Sequence, residues 1–294
     1  MAIDLPRDPN VLRALFKAGD DKRDAGLTTP EDVTRYDDLA YGSDPMQVLD
    51  IYCPKGTDHP LPTIVSIHGG GYVYADKERY QYYCMDLARR GFTVVNFSYP
   101  LAPEHKFPEH VVNTNAAVKF AVDHAAEYFI DTNNIFFVGD SAGAQINSQY
   151  AAAVANPDYA ALLGLEIPKF RLGAVALNCG MYDRTADDDG PAAEWYMGPK
   201  AQRSALVVKQ MDVLANIDGR YPPSFVMSAL KDFLLENAEP MHRFLQSKGV
   251  ESELHIYGIP GVVEPGHVFH CDIRNDLAIK CNNEECNFFR KHVI

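Results

Sequence analysis

The sequence predicts an α/β chain, built on a mostly parallel sheet with helices on both faces. Short β-branched or aromatic runs alternate along it with longer runs of helical spacing. Strands that alternate with helices of this length are joined by crossovers, which leave a parallel sheet covered on both sides. At 294 residues, 47% apolar and 23% charged, the chain is large enough for one such domain with a small accessory region.

The elements follow in order. Residues 1–40 are polar and carry one amphipathic helix, 9–17. Strands are predicted at 47–52 and 63–67, then a helix at 79–90 closed by Gly91. A third strand covers 92–97, and 109–128 is a long helix with apolar residues at helical spacing. Residues 135–138 form a short buried strand that runs into Gly139-Asp140-Ser141-Ala142-Gly143, and an alanine-rich helix, Ala142–Ala155, starts directly after it. Further strands are expected at 172–177 and 224–229, a helix at 236–248 capped by Gly249, and a last strand at 251–257. A Gly/Pro loop and a C-terminal helix over 272–292 complete the chain. Residues 1–40 and 181–221, the latter with Asp187-Asp188-Asp189 and Trp195, fall outside this rhythm. Both could be linkers, but long insertions of this kind usually serve function, so both are expected to cap the C-terminal edge of the sheet.

Composition narrows the partners. A net charge of -13 repels phosphates, which argues against nucleic acid and anionic membranes. The first residues lack the basic, apolar and small-residue sequence of a secretory signal, and no run is long and apolar enough to span a bilayer. A cytoplasmic protein is expected, with a homo-oligomer left open. The six cysteines are scattered, as reduced core residues of a cytosolic chain are. Cys281 and Cys286, with His270 and Cys271 nearby, fit no common zinc spacing, so no metal or cofactor is expected.

Chemistry concentrates in two motifs. A G-x-S-x-G between a strand and a helix makes a tight turn that lifts the serine oxygen above the sheet. The helix that follows aims its N-terminal amides where negative charge would develop. The competing reading of Ser141 is an ordinary N-cap serine. His68-Gly69-Gly70-Gly71 follows a strand, and its successive glycines let backbone amides face a ligand, as an oxyanion hole requires. No lysine follows them and the spacing is not G-x-G-x-x-G, which sets aside phosphate and dinucleotide binding. His68 is expected to brace the loop.

A nucleophilic serine needs a base, and the base an orienting carboxylate. His267 lies in the Gly/Pro loop between the last strand and the last helix. Asp232 lies just past the strand before it, the order Ser, Asp, His. His270, His242 and His255 are rival bases; Glu236 and Asp183 are rival acids.

With Tyr99-Pro100-Leu101-Ala102-Pro103-Glu104, these motifs resemble the hormone-sensitive-lipase-like branch of the α/β-hydrolases over residues 47–290. The resemblance implies an α/β-hydrolase fold, with a sheet of about eight strands and a small helical cap. It implies a short-chain carboxylesterase without a cofactor, with Ser141, Asp232 and His267 as catalytic triad. By matching position, the amides of Gly70, Gly71 and Ala142 would form the oxyanion hole. Pro100 stands where many members carry arginine, and Phe233-Leu234 where Pro-Leu often follows the acid. The expected partner is a small-molecule ester. An amidase or aryl-formamidase, or an esterase of acetylated sugars, would use the same triad, and a non-catalytic ligand-binding module is the rival of a different class. A tyrosine-rich stretch, Tyr72, Tyr74, Tyr80, Tyr82 and Tyr83, could line a pocket or simply pack.

Overall fold

The computed structural model describes residues 6–183 and 190–294. Asp187, Asp188 and Asp189 of the insertion lie outside them. Helix α1, Pro9–Asp24, is followed by strands β1, Val33–Ala40, β2, Val48–Pro54, and β3, Leu61–Ile67. Then come α2, Lys77–Ala88, β4, Thr93–Phe97, α3, Glu109–Asp123, and β5, Ile130–Asp140. Helices α4, Ala142–Ala155, and α5, Pro157–Leu163, lead to β6, Leu172–Asn178. The short helices α6, Pro191–Met197, and α7, Ala205–Met211, precede β7, Ser224–Ala229. Helix α8, Ala238–Ser247, strand β8, Ser252–Tyr257, and helix α9, Asp276–Lys291, close the chain.

The strands form one eight-stranded sheet in the order β1-β2-β4-β3-β5-β6-β7-β8. Neighbours from β4 to β8 in that order pair parallel, whereas β2 pairs antiparallel with both β1 and β4. Alternate residues of each central strand enter opposite cores. Val65, Phe137, Val175 and Leu177 join one, with Val111 and Ala117 of α3, Ile146 of α4 and Leu245 of α8. Ile64, Phe136, Ala174 and Ala176 join the other, with Met85 and Leu87 of α2 and Ala278, Phe288 and Phe289 of α9. A sheet buried on both faces needs apolar side chains at both phases of the pleat, hence the near-continuous apolar runs.

The expected fold class holds, with local differences. The N-terminal region is not all cap: residues 33–40 are the sheet's edge strand, and α1 runs on to Asp24. Its guanidinium groups reach loops at the C-terminal ends of parallel strands and the first turn of α2. Arg13 donates to the carbonyls of Val73 and Ala102 at 2.8 and 2.9 Å and pairs with Glu104. Arg23 donates to the carbonyl of Arg79 at 2.7 Å. Helix α6 lies beside the same loops: Phe107 N–H donates to Tyr196 O at 2.9 Å, and the rings of Tyr72 and Tyr196 stack 3.7 Å apart.

Candidate active site

Parallel strands carry the segments after β3, β5, β6, β7 and β8 to one edge of the sheet, the usual place for a site in this architecture. His68–Gly71, Ser141, Cys179, Asp232 and His267 all follow those strands. Backbone strain collects there too: Tyr72, Ala75, Ser141, Cys179 and Val268 all have positive φ without being glycine. Such residues persist only where their surroundings impose them, and they cluster at functional sites.

Ser141 turns from β5 into α4 with φ 54° and ψ -118°, and its side chain makes no capping hydrogen bond. It is therefore not an ordinary N-cap serine. Its N–H donates to Asn178 O at 2.9 Å, tying the turn to the end of β6. The turn is also pressed against the start of the glycine loop. A Cβ on Gly143 would lie 2.1 Å from Ile67 O and 2.6 Å from His68 O, so only glycine fits. In the glycine loop itself, Gly70 and Gly71 take φ of 102° and 63°.

Asp232 and His267 are brought together. The imidazole Nδ1 lies 2.7 Å from Asp232 Oδ1, with the acid side chain fully buried and that of the histidine 19% exposed. Asp232 Oδ1 also accepts from Leu234 N–H at 2.9 Å, and Oδ2 from the Ser228 hydroxyl at 2.7 Å. Burial alone would raise the carboxyl's pKa; the His267 contact and these donors outweigh it and hold it below its ordinary value. An ionised carboxylate only accepts, so Nδ1 carries the hydrogen and Nε2 is the basic nitrogen. The rival residues are placed otherwise. Glu236 and Asp183 are exposed. His242 faces Ser252 Oγ at 2.9 Å and His255 faces Glu253 at 3.0 Å. His270 is fully buried, and burial drives its pKa down to about 3.

The comparisons with known proteins agree with this architecture. A family model described as BD-FAE matches residues 49–242. The chain belongs to the BD-FAE family. Its relatives include esterase LipC of Mycobacterium tuberculosis, 26% identical over 204 residues, a match that takes in 69% of this chain and 48% of LipC. This BD-FAE chain thus spans about half the length of LipC. An acetyl esterase of Salmonella paratyphi B is 26% identical over 231 residues, 72% of this chain and 67% of that protein. Among solved structures, esterase B of Lactobacillus rhamnosis, inhibited by a tributyrin phosphonate, superposes with a TM-score of 0.86 at 24% identity, over 97% of this chain and 94% of that one. A bacterial heroin esterase gives 0.76 at 22% identity, over 98% and 92%. These two structures share the fold of this BD-FAE chain, that of α/β-hydrolase esterases, as the hormone-sensitive-lipase-like resemblance implies.

Behind the elbow lies a polar layer; the sequence pointed to His270 and Cys271 but not to the layer they belong to. Cys179 Sγ comes within 4.8 Å of ligand atoms of Asp232 and His267, and Asp140, His270 and Cys271 form a second such group, this one wholly buried. These are the two sets among the described residues with the donors to hold a metal ion; neither includes Cys281 or Cys286. Glu285, fully buried on α9, accepts from Asn178 Nδ2 at 2.6 Å and from the Tyr83 hydroxyl at 3.2 Å. Burial pushes Asp140 up to about 6 and Glu285 up to about 7. A carboxylate on the apolar stripe of α9, between Cys281 and Phe288, is the one signal in the sequence that could have found this layer.

His68 is a brace, as expected. It is fully buried, its ring stacks 4.0 Å from that of Tyr99, and the Tyr99 hydroxyl donates to His68 O at 2.7 Å. The tyrosine-rich stretch is tied into neighbouring structure: the Tyr74 hydroxyl donates to Asp20, that of Tyr80 to Asp140 and that of Tyr82 to Leu27 O. Phe233, where the resemblance has proline, packs its ring 4.2 Å from that of His267.

Proposed function

We propose that this protein is a serine carboxylesterase acting on short-chain acyl esters. The observation that carries the reading is the His267–Asp232 hydrogen bond of 2.7 Å over a fully buried carboxylate. It lies at the same sheet edge as an uncapped elbow serine. In the proposed reaction Ser141 Oγ attacks the ester carbonyl while His267 Nε2 takes its proton. Asp232 holds the imidazole and stabilises the imidazolium that forms. The amides of Gly70, Gly71 and Ala142 hold the oxyanion of the tetrahedral intermediate. Its collapse expels the alcohol, protonated by His267. Water, deprotonated by His267, then attacks the acyl-enzyme, and the acid leaves as Ser141 regains its proton.

The acetyl esterase relative favours a small acyl group. The close stack of Tyr72 on Tyr196, which sets α6 against the glycine loop, favours it too. In this reading α1 and the segment carrying α6 and α7 act as the cap. Six free, buried cysteines suit a reducing, cytoplasmic setting, and no helix among the described residues is long and apolar enough to cross a membrane. The Ser141→Ala variant is expected to stay folded and lose p-nitrophenyl acetate turnover by a factor on the order of 10⁴ or more. Undiminished turnover would overturn the reading. Along an acyl series from acetate to octanoate, kcat/KM should fall.

A further inference from the structure

One hydroxyl joins the glycine loop to the elbow. Tyr80, on α2, accepts a hydrogen bond from Gly69 N–H at 2.9 Å and donates one to Asp140 Oδ2 at 2.8 Å. With Asp140 ionised this is the one polarity available, since an N–H only donates and a carboxylate only accepts. Gly69 immediately precedes Gly70, and Asp140 immediately precedes Ser141. The bridge therefore sits one residue upstream of the proposed donors on one loop and of the nucleophile on the other. Both of its side chains are buried, Tyr80 6% and Asp140 2% exposed, so water does not replace it cheaply. The two loops touch at this point: a Cβ on Gly69 would lie 2.5 Å from Asp140 Oδ2 and 2.8 Å from Asp140 O.

We propose that Tyr80 is a positioning residue for the oxyanion site, its hydroxyl setting the spacing between the amides of the glycine loop and the elbow serine. The proposal rests on the serine-esterase reading above. Donors that stabilise a developing oxyanion must be placed before the reaction, because a donor displaced by a fraction of an ångström loses most of its worth in the transition state and little in the ground state. Losing the bridge should therefore lower kcat and spare KM.

The test compares two inhibitors. A trifluoromethyl ketone places an oxyanion in the site through its serine adduct, whereas an uncleavable ether analogue of the substrate does not. Tyr80→Phe should lower kcat about 10- to 100-fold with KM within about twofold, and should weaken the ketone by the same factor while sparing the ether. Tyr83→Phe is the control, because it removes a buried hydroxyl from the same helix, one that donates to Glu285 at 3.2 Å. Its ratio of ketone to ether affinity should stay that of the wild type. An unchanged ratio in Tyr80→Phe, or the same change in both variants, overturns the proposal. If Tyr80→Phe does not fold, Asp140→Asn decides: the weaker neutral acceptor should cost the ketone about threefold or more relative to the ether, and no selective loss overturns the proposal. Serine dependence is scored separately. A dead Ser141→Ala beside an unchanged Tyr80→Phe rejects this inference alone, whereas an active Ser141→Ala rejects the underlying reading.

Discussion

Asp232 shows how one residue's surroundings decide its chemistry. It is fully buried, yet an imidazole and two further donors keep its carboxyl below the ordinary carboxylate range. Replacing it with asparagine should leave the fold intact and reverse the imidazole's tautomer. The expected loss in kcat is on the order of 10³ to 10⁴ with KM little changed, read by steady-state kinetics on p-nitrophenyl acetate. Ser228→Ala removes a single donor, the hydroxyl 2.7 Å from Oδ2. It should cost about 1–2 kcal/mol at pH 7 by urea unfolding. Because Asp232 is depressed in the folded state, the stability it contributes is present above the unfolded value, 3.8, and is lost as pH falls through the folded value. The Ser228→Ala deficit should therefore shrink in acid. A deficit that stays constant to low pH would mean that the hydroxyl does not act through the carboxylate.

At the scale of elements, the elbow depends on α4 meeting β3 and the glycine loop at a point where no side chain fits. Gly143→Ala would drive a methyl group to 2.1 Å from a backbone carbonyl that cannot yield. It should unfold the protein or lower its stability by several kcal/mol, read by thermal unfolding. Strands β2 to β7 were legible as short, largely apolar runs between turn residues, and the edge strand β8, Ser-Glu-Leu-His-Ile-Tyr, as an alternation of period 2. Strand β1, Val-Thr-Arg-Tyr-Asp-Asp-Leu-Ala, was not. It pairs on one side only, its register shifts between Tyr36 and Leu39, and it carries three charges, so no period-2 pattern survives. The last turns of α1 are polar and held by ion pairs of Arg23 with Asp20 and Asp24, which apolar spacing does not reveal. The site was legible where a motif compresses it, at His68–Gly71 and Gly139–Gly143. Tyr80 and Asp140 meet across 60 residues of chain and Tyr83 and Glu285 across 202, so only folding brings them together.

Over the whole molecule, the parallel sheet collects loops from five strands at one edge and then has to bury the polar groups that support them. Glu285 bears much of that cost, since burial raises its carboxyl from 4.5 to about 7. Between those values the folded state holds a proton that the unfolded chain has released, so stability falls as pH rises through this window. Glu285→Gln keeps the shape and an acceptor and removes the titration. Its stability relative to wild type should improve from pH 4.5 to 7 by roughly 3 kcal/mol, measured by urea unfolding at each pH. A difference independent of pH would mean that the carboxyl does not titrate in that range. The serine stands at the centre of this edge. The most direct measurement treats the protein with a fluorophosphonate and locates the adduct by mass spectrometry of its peptides. One phosphonylated residue is expected, Ser141, with labelling abolished in Ser141→Ala and strongly slowed in Asp232→Asn. An adduct at another residue, or no adduct in protein that hydrolyses esters, would contradict this assignment.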